Sequence, residues 1–470
     1  MSAGDAQSTL RPHPPGDTAA GAIPAPPDAV RPLLVDDALP RVIRRVALPA
    51  VVSNLLMTLF TSMDVYWVGT RLGAEGLAAV STSIFWIWLS VAIAEGVAIG
   101  LTALAARRHG EGRPDAAARA VGVALIFSVA LGAVVGLVGA WRVDSLFSLM
   151  RTPPEVSALG RTYLRTLFLG LPFLFGFFAV DAGFRASGDT RTPLVLLLVS
   201  VGCTLILDPV LILGLGGFPA LGIAGAAVAL LATRGAAFVV GAVILFRRGM
   251  IAVDPAVALS VIRRIVRVGL PTAMTGVVFS LIYVALTRTT TRFGTPALAA
   301  LGVGHRVESW LYMIGVGFGA AAAAIVGQNI GAGRLDRAQR AGWLTTSFAL
   351  LPAALMCIVS LAIPTQLAGL FTHDPAVIAE TASYLRVNAV AQLFLPIEIV
   401  LEGALGGAGA TVSPMITSTA LTALRIPLAA SWAVLWGPVG IWWAIAVTSA
   451  ARGVAMSLLW RSGRWKRKSL

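Results

Sequence analysis

The sequence predicts an all-α membrane protein of twelve transmembrane helices, arranged as two six-helix bundles related by a parallel internal repeat. Three observations lead there: an apolar composition, a series of segments of bilayer length, and one register in which the chain matches itself. Of the 470 residues, 57% are hydrophobic and 12% charged. Ordinary soluble domains are about a quarter charged. So few charges cannot coat a water-soluble fold, and lipid has to solvate much of the chain.

Taken in order, residues 1–40 carry eight prolines among Ala, Gly and Asp, with no basic start followed by an apolar run. A disordered tail is expected, followed by a first span that stays as an anchor. A helix needs about 20 apolar residues to cross a bilayer, because every backbone N–H and C=O must be satisfied within the segment. By that rule the spans fall at 46–70, 78–106, 120–141, 163–184, 193–215, 220–246, 266–287, 297–327, 341–363, 384–406, 414–436 and 438–460. The domain plan is a tail (1–40), an N-terminal bundle (41–246), a cytoplasmic linker (247–265), a C-terminal bundle (266–460) and a basic cytoplasmic tail (461–470).

With the N-terminus inside, cytoplasmic segments hold 24 Lys and Arg and outer segments 8, a bias that puts both termini in the cytoplasm. The net charge of +14 is thus explained by topology, and the basic residues form no aromatic-interleaved stripe suited to nucleic acid. Cys203 and Cys357 each sit in an apolar segment, where a thiol behaves as a small hydrophobe, so no disulfide or metal framework is readable.

A constant offset of 221 aligns the chain with itself. Gly76-Leu77-Ala78-Ala79 answers Ala297-Leu298-Ala299-Ala300, Gly112-Arg113-Pro114-Asp115 answers Gly333-Arg334-Leu335-Asp336, and Tyr163-Leu164-Arg165 answers Tyr384-Leu385-Arg386. Apolar helices alone would not hold one register through loops. Six spans per copy is an even number, so both copies enter from the same side, as parallel repeats about an axis along the membrane normal.

Ionisable groups at membrane depth are costly and are functional candidates by default. Asp64 lies about 27 Å along the first span and Asp208 about 23 Å along the fifth, at 1.5 Å per residue, so the two acids share a depth in one bundle. Two carboxylates close together in a low dielectric cannot both ionise cheaply, and one is expected to hold a proton or share a sodium ion. A structural alternative is that each pairs with an Arg or caps a helix. Glu95 falls mid-way along the second span, as a substrate contact or as partner of a buried Arg. In the second bundle Arg306 is expected to pair with Glu308 or Glu398, or else these groups and Glu402 line a cation-attracting wall. Asp181 stands four residues before Arg185, the spacing of a helical ion pair. His305 reads as a hydrogen-bonded interfacial histidine, with a proton relay as the alternative.

Four motifs resemble the multidrug and toxic compound extrusion family over about residues 40–465: Met63-Asp64-Val65-Tyr66-Trp67-Val68-Gly69, Phe184-Arg185-Ala186-Ser187-Gly188-Asp189-Thr190-Arg191-Thr192-Pro193, Leu207-Asp208-Pro209-Val210-Leu211-Ile212 and Val326-Gly327-Gln328-Asn329-Ile330-Gly331-Ala332-Gly333. The resemblance implies export of organic cations or amphipathic compounds in exchange for H+ or Na+, with Asp64 and Asp208 as the coupling acids and no cofactor beyond that ion. It also implies a multi-pass protein of the bacterial inner membrane, working as a monomer. Departures are Thr204 where relatives often carry Asn, Leu230 where many carry Thr, and Asp181 where Asn is common. The seventh span lacks the carboxylate of another branch, with Phe279 near its place. A flippase of lipid-linked precursors has a similar fold and is the alternative; an enzyme is disfavoured because no HExxH, GxSxG, paired His ligands or phosphate-cradling loop occurs.

Overall fold

The computed structural model describes residues 34–150 and 154–467, without the side chains of 59–78, 81, 82, 84, 85, 149, 150, 155, 279–281, 284 and 295. The first copy comprises α1 (Leu39–Gly110), α2 (Pro114–Met150), α3 (Pro154–Leu169), α4 (Leu171–Ala186), α5 (Arg191–Leu213) and α6 (Ile223–Arg247). The second comprises α7 (Pro255–Thr290), α8 (Thr295–Gly331), α9 (Leu335–Ala362), α10 (Pro364–Gly369), α11 (Pro375–Asn388), α12 (Phe394–Gly407), α13 (Val412–Trp436) and α14 (Pro438–Arg461).

The duplication is structural as well as textual. Helix starts at residues 114, 154 and 191 recur at 335, 375 and 412, and ends at 110 and 186 recur at 331 and 407, each displaced by 221. The turns between them repeat too: Gly112 and Gly333 take φ of 69° and 72°, and Gly188 and Gly409 take 87° and 75°. Only glycine enters that region without strain, which is why these four positions align between copies.

Among the described residues 8 helices are long and apolar enough to cross a membrane, or 10 when the bent pairs α3–α4 (50°) and α11–α12 (55°) each count as one span. The first and seventh expected spans run into side chains outside the described residues. Element α1 has 72 residues, which as a straight rod would reach about 108 Å. Yet Leu34 N–H donates to Gln328 Oε1 at 3.0 Å, and Gly110, at the far end, abuts the Gln328 carbonyl. The chain therefore runs out and back within α1, as the separate spans 46–70 and 78–106 require.

Order extends into segments expected as tail and linker. Residues 34–40 are not tail: Leu34 and Val35 are buried and the helix begins at Leu39. The stretch from 255 to 265, expected as linker, is helix α7, started by the Asp254 side chain accepting from Ala256 N–H at 3.0 Å. At the other end Trp465 stacks on Trp460 with centroids 4.1 Å apart and donates its indole N–H to the Trp460 carbonyl at 2.9 Å, so the start of the basic tail is docked.

Two core clusters cross between the copies. In one, Val42, Ile43, Val46 and Ala47 of α1 pack with Ala321, Ala322 and Ile325 of α8 and Val400, Leu401 and Ala404 of α12. In the other, Leu101, Leu104 and Ala105 of α1 and Val121 of α2 pack with Ile265 of α7. Small residues make the seam close. Gly110 lies against the Gln328 carbonyl and Gly331 against the Arg107 carbonyl, one contact made twice at the repeat offset; farther in, Gly96 meets Gly269 and Gly317 meets Val51. The remaining described clusters, toward the other end, each keep to the helices of one copy. The bundles are thus sealed at the end that carries Arg107, Arg334 and the connection between copies.

Candidate functional site

In the first bundle Asp208 is fully buried on α5, followed by Pro209 inside the helix. Proline has no N–H, so the carbonyl four residues back loses its helical donor and a polar spot opens beside the acid. One turn earlier, Thr204 Oγ1 lies 2.6 Å from Thr233 Oγ1 of α6. Thr204 can donate to the Ser200 carbonyl (2.8 Å) and Thr233 to the Ala229 carbonyl (2.9 Å). Each hydroxyl has one proton, so one serves its own helix and the other crosses the gap. Residue 230 is Leu, and the hydroxyl comes from one turn later. Arg234, next to Thr233, is buried, donates to Met57 Sδ at 2.8 Å and sits 5.2 Å from the Phe177 ring. Arg234 is legible in the sequence as one of four arginines within spans, whereas Thr233 is not, its only signal being a polar residue beside that arginine in an apolar run. The Asp64 side chain lies outside the described residues, as does Phe279.

Between the bundles, Glu95 is an exposed acid within a span, beside the Gly96 contact to α7. Glu402 on α12 is half-buried. Tyr312 of α8, 45% exposed, is within electrostatic range of Glu95 from one copy and of Glu402 and Glu398 from the other. Neither Glu95 nor Glu402 forms an ion pair among the described residues. Acids of both copies, and Arg452, thus lie within electrostatic range of one exposed aromatic side chain.

The second bundle holds a denser network than expected, with different partners. Glu398 pairs with Arg452 of α14 at 2.9 Å and accepts from Ser418 Oγ at 3.0 Å. Glu308 accepts from Tyr384 Oη at 2.9 Å and lies 3.6 Å from His305 Nδ1, which meets Tyr283 Oη at 2.8 Å. Arg425 donates to Thr448 (2.9 Å) and Ser449 (3.0 Å). The expected pairing of Arg306 with Glu308 or Glu398 is not found: Arg306 is exposed, while Arg452, 54 residues beyond Glu398, takes the buried acid. His305 and Glu308, three residues apart, share a side of α8, whereas Arg306 and Glu308, two residues apart, lie about 200° from each other around the helix. Asp181 Oδ2 lies 2.7 Å from Arg185 Nε, the i,i+4 ion pair that the spacing predicts. Among the described residues no group of three or more His, Cys, Asp or Glu could hold a metal ion.

Comparison with known proteins fits this architecture. The MatE family model matches residues 49–210 and again 271–430, one match per copy. The probable multidrug resistance protein YoeA of Bacillus subtilis is 28% identical over 393 residues, covering 81% of this chain and 84% of its own. The FAD transporter of Shewanella oneidensis is 28% identical over 88% of this chain and 93% of its own. A multidrug resistance MATE transporter solved in an outward-facing conformation superposes with a TM-score of 0.84 at 23% identity, covering 93% of this chain and 98% of the other. A superfamily member from Pyrococcus furiosus, described as having a binding pocket of reverse polarity, gives 0.83 at 22% over the same shares. With both halves of the family matched in order on a doubled six-helix fold, the chain belongs to the MatE family of multidrug efflux transporters, multi-pass proteins of the bacterial membrane.

Proposed function

We propose that this protein is a secondary active antiporter that exports organic cations or amphipathic drugs in exchange for H+ or Na+, by alternating access of the two bundles from the inner membrane with both termini cytoplasmic. It works as a monomer. Asp64 and Asp208 carry the coupling ion: occupancy of the acids by a proton or sodium and occupancy of the cleft by substrate bias the bundle arrangement in opposite senses. Asp208 supports this by its complete burial beside the Pro209 break, where desolvation disfavours the charged form of a carboxyl.

The observation that carries the substrate class is the sorting of in-span charge. Tyr312, exposed on α8, lies within electrostatic range of Glu95 and Glu402, unpaired among the described residues, and of the Glu398–Arg452 pair, while Arg234, Arg425 and Arg452 are themselves buried within single bundles. A phosphate-bearing substrate, as the name of the Shewanella relative suggests for that protein, or a lipid-linked pyrophosphate, would need arginines on the cleft face. The test is transport into proteoliposomes of a fluorescent organic cation and, in parallel, of FAD. Cation transport with no FAD transport is expected; the converse overturns the reading.

A further inference from the structure

Each copy opens with a short segment that lies across the other copy. Ahead of α7, Ala252 N–H donates to the Ala118 carbonyl of α2 at 3.0 Å, and its backbone abuts Gly122, where any side chain would collide. Ahead of α1, residues 34–37 lie on the end of α8 and the start of α9, which is the α2 equivalent. Leu34 N–H donates to Gln328 Oε1 at 3.0 Å, Arg337 donates to the carbonyls of Leu34 (3.4 Å) and Asp37, and Arg334 donates to the Val35 carbonyl. Arg334 also pairs with Asp36 at 3.4 Å. These are crossed straps, related by the repeat.

They differ in one respect. The segment ahead of α7 is chain-linked to both bundles, whereas residues 34–37 are chain-linked to the first bundle and reach the second only through side chains. Leu34 is wedged at the centre: its side chain meets Gly188 in the α4–α5 turn, and its N–H meets Gln328, whose Nε2 donates in turn to the Ala186 carbonyl at 2.7 Å. One buried glutamine from the second copy thus holds both the strap and the end of α4. The contacts with Gln328, Arg334 and Arg337 cross the seam at the sealed end, and the one with Gly188 anchors Leu34 to its own copy.

We infer that Leu34–Asp37 is a latch: it holds the bundles together on the cytoplasmic side and has to leave the α8–α9 surface before that side opens. The inference rests on the alternating-access reading, and the test separates the two. In a background of Cys203→Ser and Cys357→Ser, the exposed pair Asp36→Cys and Arg334→Cys is bridged with a short bis-methanethiosulfonate reagent that spans the length of the ion pair it replaces. An internal cross-link should form, transport of the fluorescent cation should fall at least tenfold by trapping one state, and reduction should restore it. Failure to cross-link, or full transport while cross-linked, overturns the latch. If the reduced protein moves no cation, the antiport reading fails instead, and the latch is decided by a readout that needs no transport. That readout is labelling of Ala332→Cys by an impermeant maleimide from the cytoplasmic side, with and without Leu34→Ala. Leu34→Ala should speed labelling several-fold; an unchanged rate in well-folded protein overturns the latch.

Discussion

Substituting Gly110 by Ala should unseal the closed end of the bundles, which the proposed topology puts on the cytoplasmic side. The added methyl overlaps the Gln328 carbonyl, a backbone atom that cannot rotate away. Restoring a C···O separation of about 3.3 Å requires the two helices to retreat by about 1 Å or more. Overpacking of that kind costs about 1–3 kcal/mol. Because the contact exists only while the bundles are closed at this end, the cost falls on that state alone, and at 1.4 kcal/mol per factor of ten it shifts the closed-to-open ratio about 5- to 140-fold. Ser187→Cys, on the Cys203→Ser and Cys357→Ser background, reports the change as labelling by an impermeant thiol reagent in inside-out vesicles. Gly331→Ala makes the equivalent clash with the Arg107 carbonyl and should act alike, while Gly202→Ala, with nothing within 4 Å of the new methyl, should do nothing. Equal labelling in all three variants would refute the closed seam.

Other expectations concern the charges. Glu398→Gln leaves Arg452 buried without its anion, a loss of about 3–5 kcal/mol seen as a lower melting temperature, and adding Arg452→Met should recover most of it. Glu95→Gln and Glu402→Gln should each raise KM for a cationic substrate about tenfold and leave KM for a neutral amphipathic substrate unchanged, measured by uptake kinetics. Thr204→Val removes one hydroxyl of a pair whose other member still bonds its own helix, so the loss should be about 1 kcal/mol, read by thermal unfolding.

The repeat was legible because the turn glycines at 112, 188, 333 and 409 need a backbone region that other residues avoid, so their spacing survives in the chain. Buried Asp208 was legible because a carboxylate within an apolar run has few places to go. Partner choice was not. Arg452 and Glu398 belong to α14 and α12, and which arginine reaches which acid depends on helix rotation, a quantity that apolar helices with no amphipathic face do not encode locally. The docking of Leu34 escaped notice for a related reason: a Pro-rich, acidic stretch looks like a tail, and only the arginines of α9, three hundred residues on, turn it into a strap.

The central claim, that a buried acid of the first bundle couples an ion to export, is tested by one measurement. Purified wild-type and Asp208→Asn proteins are placed in proteoliposomes, and uptake of a fluorescent organic cation is followed with a pH gradient or a sodium gradient imposed separately. One gradient should drive accumulation by the wild type, and neither should drive it in Asp208→Asn, although substrate still binds. Gradient-driven accumulation by the variant at the wild-type rate would contradict the account.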